Sequence, residues 1–441
     1  MGNVFYRNPL HDYPIAMRAE GVYLYDSEGR QYLDGSGGAA VSCLGHGHPD
    51  VVAAIKAQVE QLAFAHTAFF TNEPQEKLAS KLVGRFGEPD AKVYFVSGGS
   101  EANETALKLA RKYWVARGHN DKHLIISRKQ SYHGNTLGAL SMSGNPGRNA
   151  VYSPMLHDWP KIEPCYAYRH QLANESDQEY GLRCAAELEA AIQSHGADHI
   201  AAFVAETVVG ATLGAVPATR AYFQRIREIC DRHEILLMLD EVMAGGGRCG
   251  SYFAFEQEGI VPDIVTLAKG LGGGYQPIGA AIARGVIHQQ IVDAFGSFAH
   301  GHTYVGHATA CAAGLAVTSV IENDNLLARV QENGSLLRVA LEQEFAEHPN
   351  VGDIRGRGLL LGLELVEDRE TKAPIKAELG LPEKIRTTAM TNGLVCYPGG
   401  GTADGRDGAH VLLAPPYIYK SEHVDELVDK LKLTLAAVTF V

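Results

Sequence analysis

Short apolar runs alternate with amphipathic stretches through the middle of this chain, from about residue 90 to residue 320. The runs are Lys92–Val96, His123–Ser127, Ile200–Ala205, Ile235–Leu239, Ile264–Leu267 and Ile278–Ala283. Most are apolar almost throughout, as in strands covered on both faces. Between them, Glu101–Arg117, Arg183–Ser194, Arg220–His233 and Ala308–Glu322 carry helical spacing. Strand–helix alternation of this kind predicts an α/β fold with a mostly parallel central sheet.

The flanks read differently. Residues 21–34 alternate like a hairpin with Glu28-Gly29 at its turn, and Gly35 to Pro49 is a loop rich in glycine and histidine. Residues 50–63 place Val51, Ile55, Val59 and Leu62 on one helical face, and Pro74 opens a second helix over 74–86. Beyond residue 325 the spacing predicts helices over 326–346, 382–392 and 421–437, with a hairpin over 352–366. The expected division is a large domain, residues 63–324, and a small α+β domain built from residues 1–62 and 325–441. The polar stretch 165–180 is expected as an irregular surface excursion.

Composition narrows the classes. A chain of 441 residues, 46% hydrophobic, is long enough for a large core. A net charge of −12 without any basic tract argues against nucleic-acid and anionic-membrane partners. Seven cysteines are scattered without CxxC pairs, the pattern of free thiols in a reducing compartment. Cys249 follows Arg248 in a glycine-rich loop and is expected as a passive thiol. The first residues hold no apolar signal segment, and no run approaches the ~20 apolar residues of a membrane span. These features predict a soluble, cytoplasmic protein. The pair His300/His302 lacks a third ligand at a recognisable spacing, so no metal is expected.

Chemistry gathers at strand ends. One apolar run leads into Asp240, and the next leads into Lys269 and then Gly270-Leu271-Gly272-Gly273-Gly274. An amine there can form a Schiff base with an aldehyde cofactor, and an acid can pair with a pyridinium nitrogen. An ordinary buried ion pair is the alternative. Upstream, a strand, a glycine turn and a helix follow in order around Ser97-Gly98-Gly99-Ser100, which suits a phosphate at a helix N-terminus. Tyr132, beyond another strand, offers a ring to stack on a flat cofactor. Thr303 offers a hydroxyl to a phosphate. Neither a P-loop nor a Rossmann glycine motif is present.

These motifs, in this order, resemble the class III (ω-amino acid type) pyridoxal phosphate-dependent aminotransferases, of fold type I. The segments that carry the likeness are GHGHP, SGGSEANETALKLAR, SYHG, LDEVMAGGGRCG, PDIVTLAKGLGGG, HGHTYVGHATACAAGLA and LLAPPYIY. The resemblance implies that Lys269 holds the cofactor as a Schiff base and moves protons, and that Asp240 pairs with the pyridine nitrogen. It implies Val242 and Tyr132 on the two ring faces, His133 beside the ring, and Gly99 and Ser100 on the phosphate. Glu206 joins this cofactor-binding set. Thr303 would reach the phosphate of a neighbouring subunit, in a homodimer or a homotetramer with shared sites.

Departures bear on the substrate. Val209 stands where many relatives have a glutamine, and Ala211 where glutamate-using relatives place a gating glutamate. The second departure favours pyruvate over 2-oxoglutarate as keto-acid acceptor. Arg406, in a long glycine-rich loop, is the candidate for a substrate carboxylate. The expected donors are ω-amines, diamines or diamino acids, 2,4-diaminobutyrate among them. Rival readings are a decarboxylase or aminomutase of the same family, or a non-catalytic binding protein on the same fold.

Overall fold

The computed structural model describes residues 3–440. Seven strands form the central sheet. Their spatial order is Lys92–Val96, Gly279–Ala283, Ile264–Leu267, Leu236–Asp240, Ile200–Glu206, Leu124–Arg128, Lys161–Ile162. The last five of these run parallel, and Gly279–Ala283 runs antiparallel to both its neighbours. This is the α/β, fold type I architecture. Every residue of Ile200–Glu206 and of Leu236–Asp240 is buried, which is why both read as unbroken apolar runs.

Helices cover the sheet with their apolar faces. Gly99–Ala116 turns Ala102, Asn103, Ala106, Leu109, Ala110 and Tyr113 inward at three- and four-residue spacing. Tyr222–Arg232 does the same with Tyr222, Phe223, Ile226, Ile229 and Cys230. Ala308–Asn323 is buried almost all round. Its alanines and glycine let the helices Pro49–Gln61 and Glu73–Phe86 pack closely against it.

The two ends of the chain meet. Strand Leu394–Val395 pairs in parallel with Gln31–Asp34 of the N-terminal hairpin, and the Tyr419 hydroxyl donates to the Asp34 carbonyl at 2.8 Å. Val22 and Leu33 share one apolar core with Leu394, Leu427 and Leu431. A second antiparallel sheet, Val351–Arg357, Leu360–Asp368, Ala409–Leu413 and Tyr397–Gly400, backs the same core.

Three expectations change. Residues 165–180 are a surface excursion only in their middle, since most of 170–179 is exposed while both ends are anchored. Tyr166 and Tyr180 are fully buried, and a capping box at Ser176/Glu179 starts a helix over Asp177–His195. The helices Leu137–Met142 and Gly285–Phe295 were not expected, because short or weakly buried faces leave little periodic signal. On the helix Pro49–Gln61 and just beyond it, Val51 is buried, but Val59 and Leu62 stay 50% and 37% exposed.

Candidate active site

Glu206, Asp240 and Lys269 come from the carboxyl ends of three adjacent parallel strands. Glu206 and Asp240 are register partners, Asp240 also pairs with Thr266, and Lys269 lies two residues past Leu267. Ligands of open α/β sheets bind outside such strand ends. Here a cavity of about 600 Å³ is lined by Gly99, Ser100, Tyr132, His133, Glu206, Asp240, Val242 and Lys269. Most of the residues singled out in the sequence therefore share one pocket.

Asp240 is 5% exposed and well held. Its Oδ2 accepts from Asn103 Nδ2 and meets His133 Nδ1, both at 2.8 Å, while Oδ1 accepts from the Val242 amide at 3.0 Å. Asn103 is itself oriented by Thr266, whose hydroxyl donates to Asn103 Oδ1 at 2.9 Å. Asn103 and Thr266 were missed in the sequence. The signal available was a polar residue at an inward position of an otherwise apolar helix face.

Lys269 has φ +46°, a left-handed conformation rare for a long side chain and typical of strained functional positions. Its amine makes no ion pair among the described residues. Burial lowers its pKa to about 8; Asp240 and Glu206 pull it up, and Arg148 and Arg248 push it further down. Glu206 Oε1 accepts from the Tyr132 amide at 3.0 Å and Oε2 from the Gly210 amide at 2.8 Å. Burial pushes the Glu206 carboxyl up.

The pocket fits a flat, phosphorylated ring. Helix Gly99–Ala116 has no side-chain cap, and its first amides, Gly99 and Ser100, donate to no other group among the described residues. A Cβ on Gly99 would fall 2.8 Å from Val242 Cγ1, and one on Gly134 would fall 2.7 Å from Ser100 Oγ. Any side chain at either position would close the space between helix end and strand end. His133 Nε2 is buried without a partner beside Asp240.

Other residues lie elsewhere. Thr303 is exposed and lines a separate depression with His66, His300 and His302. Arg406 is outside the cavity lining. Its side chain is 76% exposed and bonds Glu378 at 2.6 Å, because the loop turns that residue outward. Val209 is buried among Tyr166, Leu213 and Val216, whereas Ala211 does line the cavity. Arg248 is buried and donates to the carbonyls of Leu359 and Pro415. Cys249 is buried, with its thiol pushed up to about 12 by that burial. The cavity also holds Arg7, Arg148 and Tyr397, none of which was singled out in the sequence.

Comparison with known proteins agrees with this geometry. The family described as aminotransferase class-III matches residues 6–435. An uncharacterized aminotransferase of Schizosaccharomyces pombe is 44% identical, over 98% of this chain and 95% of its own. The diaminobutyrate–2-oxoglutarate transaminase of Halomonas elongata is 34% identical, over 95% of this chain and 89% of its own. An amine transaminase from an uncultivated Pseudomonas species, solved in its PLP-bound form, superposes with a TM-score of 0.91 at 33% identity, covering 99% of both chains. With a lysine and two carboxylates at adjacent strand ends, and a match that spans nearly the whole length, the chain belongs to the class III aminotransferases, whose cofactor is pyridoxal 5′-phosphate.

Proposed function

We propose that the protein moves an amino group from an ω-amine, a diamine or a diamino acid to a small keto acid, pyruvate or 2-oxoglutarate, with Lys269 as its reactive amine. The observation that carries this reading is the state of Lys269. It is half-buried beside Asp240 and Glu206, without an ion pair among the described residues, and its pKa is lowered to about 8. At pH 7.5 such a lysine is neutral in about a quarter of molecules, against roughly 0.1% for an ordinary one. A nucleophile or base must be neutral to act.

Bound pyridoxal phosphate supplies an aldehyde that captures amines and a ring that takes up electrons released at the substrate carbon. The chain supplies the rest. The Gly99 and Ser100 amides, at the positive end of an 18-residue helix, would hold the phosphate together with the Ser100 hydroxyl. Asp240, held in place by Asn103 and His133, would pair with the ring nitrogen. Val242 and Tyr132, both in the cavity lining, would bound the two faces. Lys269 Nζ is the resting nucleophile, and afterwards the base that takes a proton from the substrate carbon and returns it. Glu206 fixes the backbone of Tyr132 and Gly210, so it shapes the wall where substrate lies.

We also infer a homodimer with shared sites. Tyr304, next to Thr303, is 59% exposed, and Phe69 and Phe70, which follow the His66, Thr67 and Ala68 that share Thr303's depression, are 80% and 66% exposed. Apolar area of this kind supports a covering partner. Seven buried, unpaired cysteines support a reducing compartment such as the cytoplasm.

Two measurements test the reading. A panel of ω-amines, diamines and diamino acids is run with the purified protein and pyridoxal phosphate against pyruvate and 2-oxoglutarate. Stoichiometric alanine or glutamate is expected; carbon dioxide without an amino product, or no amino transfer to either acceptor, overturns it. Second, the cofactor-free protein should capture pyridoxal phosphate faster as pH rises, with a plateau above about 8, since only the neutral amine attacks. Between pH 7 and 6 the rate should fall about tenfold. A flat profile over that range would count against Lys269 as the capturing amine.

A further inference from the structure

A keto acid carries a carboxylate, so its pocket needs a cation besides the reactive lysine. We propose that Arg148 takes this carboxylate, an inference that rests on the transaminase reading above. Three cationic residues line the cavity: Arg7, Arg148 and Lys269. Lys269 is committed to the chemistry, and Arg7 lies on the terminal segment that precedes the first strand. Arg406 lies outside the lining and is already paired with Glu378.

Arg148 is held in position. It belongs to the short helical turn Pro146–Asn149, whose Asn145 cap accepts from the Arg148 amide at 3.1 Å. Asn149 Nδ2 donates to the Ser143 carbonyl at 2.7 Å and pins the same turn from the other end. The glycine-rich loop expected to offer Arg406 supports this turn instead. A Cβ on Gly405 would fall 2.7 Å from Pro146 Cδ, so the loop backbone lies directly against it. Gln130 Nε2 ties that loop down through the carbonyls of Gly401 and Thr402 at 3.1 and 3.2 Å.

The guanidinium of Arg148 lies 4.4 Å from the centroid of the Tyr132 ring. Stacking of this kind orients the planar fork and leaves its N–H edge for a bidentate anion. Arg248, Arg169 and Arg355 lie outside the cavity lining: Arg248 donates from Nη1 to two carbonyls, and Arg169 and Arg355 pair with Glu364. Arg148 makes no ion pair among the described residues, and its field reaches Lys269. The neighbouring walls, Ala39, Val41 and Ala211, are small and uncharged, so nothing there competes for the carboxylate.

The experiment compares holoenzyme with Arg148→Gln and Arg148→Lys. Three quantities are read: kcat/KM for pyruvate, the single-turnover rate with the best carboxylate-free amine of the panel, and the affinity for acetate, followed by the cofactor's visible absorbance. Losing a charge-assisted hydrogen-bonded pair should lower pyruvate efficiency and acetate affinity about 10- to 100-fold in the glutamine variant. The loss with the carboxylate-free amine should be at least tenfold smaller, and lysine should recover part of the acetate affinity. Equal losses on pyruvate and on the amine, or unchanged acetate affinity, overturn the assignment. If wild type transfers no amino group at all, the transaminase reading fails, while the acetate measurement still judges Arg148.

Discussion

Lys269→Ala should lower kcat by about ten-thousand-fold or more while the protein still folds and still retains pyridoxal phosphate non-covalently. The magnitude follows from losing a nucleophile and a proton carrier in one atom, each of which contributes about two to four orders of magnitude. The stability side separates this from misfolding. A lysine held at about 8, rather than near 10.5, disfavours the fold by about 3 kcal/mol while pH is below 8. That cost fades as pH rises toward 10.5, where folded and unfolded forms are both neutral. Removing the side chain recovers it but leaves a gap where three methylenes packed, worth about 2 kcal/mol in the other direction. The two nearly cancel, so the apo variant should unfold within about 2 kcal/mol of the apo wild type. Kinetics and apo-protein denaturation together decide the matter. Undiminished multiple turnover refutes the assignment of Lys269, and a collapsed apo-protein would mean that the loss of rate came from the fold.

The candidate site was legible because its polar residues sit at ends of apolar runs. A buried parallel strand carries almost no polar residue, so the first one after it marks the sheet's edge. Asp240 and Lys269 stand out for that reason, and the register that makes Asp240 the neighbour of Glu206 follows from strand order. Gly99 and Ser100 were readable because a glycine turn between strand and helix has few uses.

What was not legible depends on long-range packing. Arg406 looked suitable because its loop is long and rich in glycine. The fold turns that side chain to solvent and uses the loop's backbone against Pro146. Nothing local in the sequence separates an arginine that faces a pocket from one that faces water. Arg148 was overlooked for the same reason, since its neighbours in the cavity are Tyr132 and Lys269, distant from it in the chain or beyond a turn. Asn103 reads as one more polar residue in a helix until the strand end bearing Asp240 is placed above it.

Tyr166 and Arg169 show the same limit on a larger scale, because their partners lie some two hundred residues away. Their shared acceptor, Glu364, bears the second large expectation: Glu364→Ala should destabilise the protein by about 3–5 kcal/mol. Glu364 is fully buried. Its carboxylate meets Arg355 Nη1 at 2.5 Å and Arg169 Nε at 2.7 Å, and it also accepts from the Tyr166 hydroxyl. Burial alone would raise its pKa, but the fields of Arg355 and Arg169 outweigh that and hold the carboxyl below its ordinary range. Alanine would leave the buried Arg355 and the half-buried Arg169 with Asp353, which bonds Arg355 at 2.9 Å, as their one remaining carboxylate among the described residues. Uncompensated buried charge, more than the lost contact, sets the magnitude. The sign with pH is fixed by the lowered pKa. The stabilisation is present above about pH 4.3 and is lost as pH falls through the folded value, so the wild type should approach the variant in acid. Denaturant titrations at neutral pH and below pH 4 check both statements. A variant with an unchanged midpoint at neutral pH would show that the pair's desolvation had already cancelled its attraction. The consequence reaches the pocket, because Arg355 also holds the carbonyls of Leu213 at 2.5 Å and Gly214 at 3.0 Å. Those residues end the segment that begins at Glu206 and carries Ala211 along the cavity wall. Loosening that anchor should therefore raise KM more than it lowers kcat, since Lys269 and Asp240 stand on strands the change does not touch.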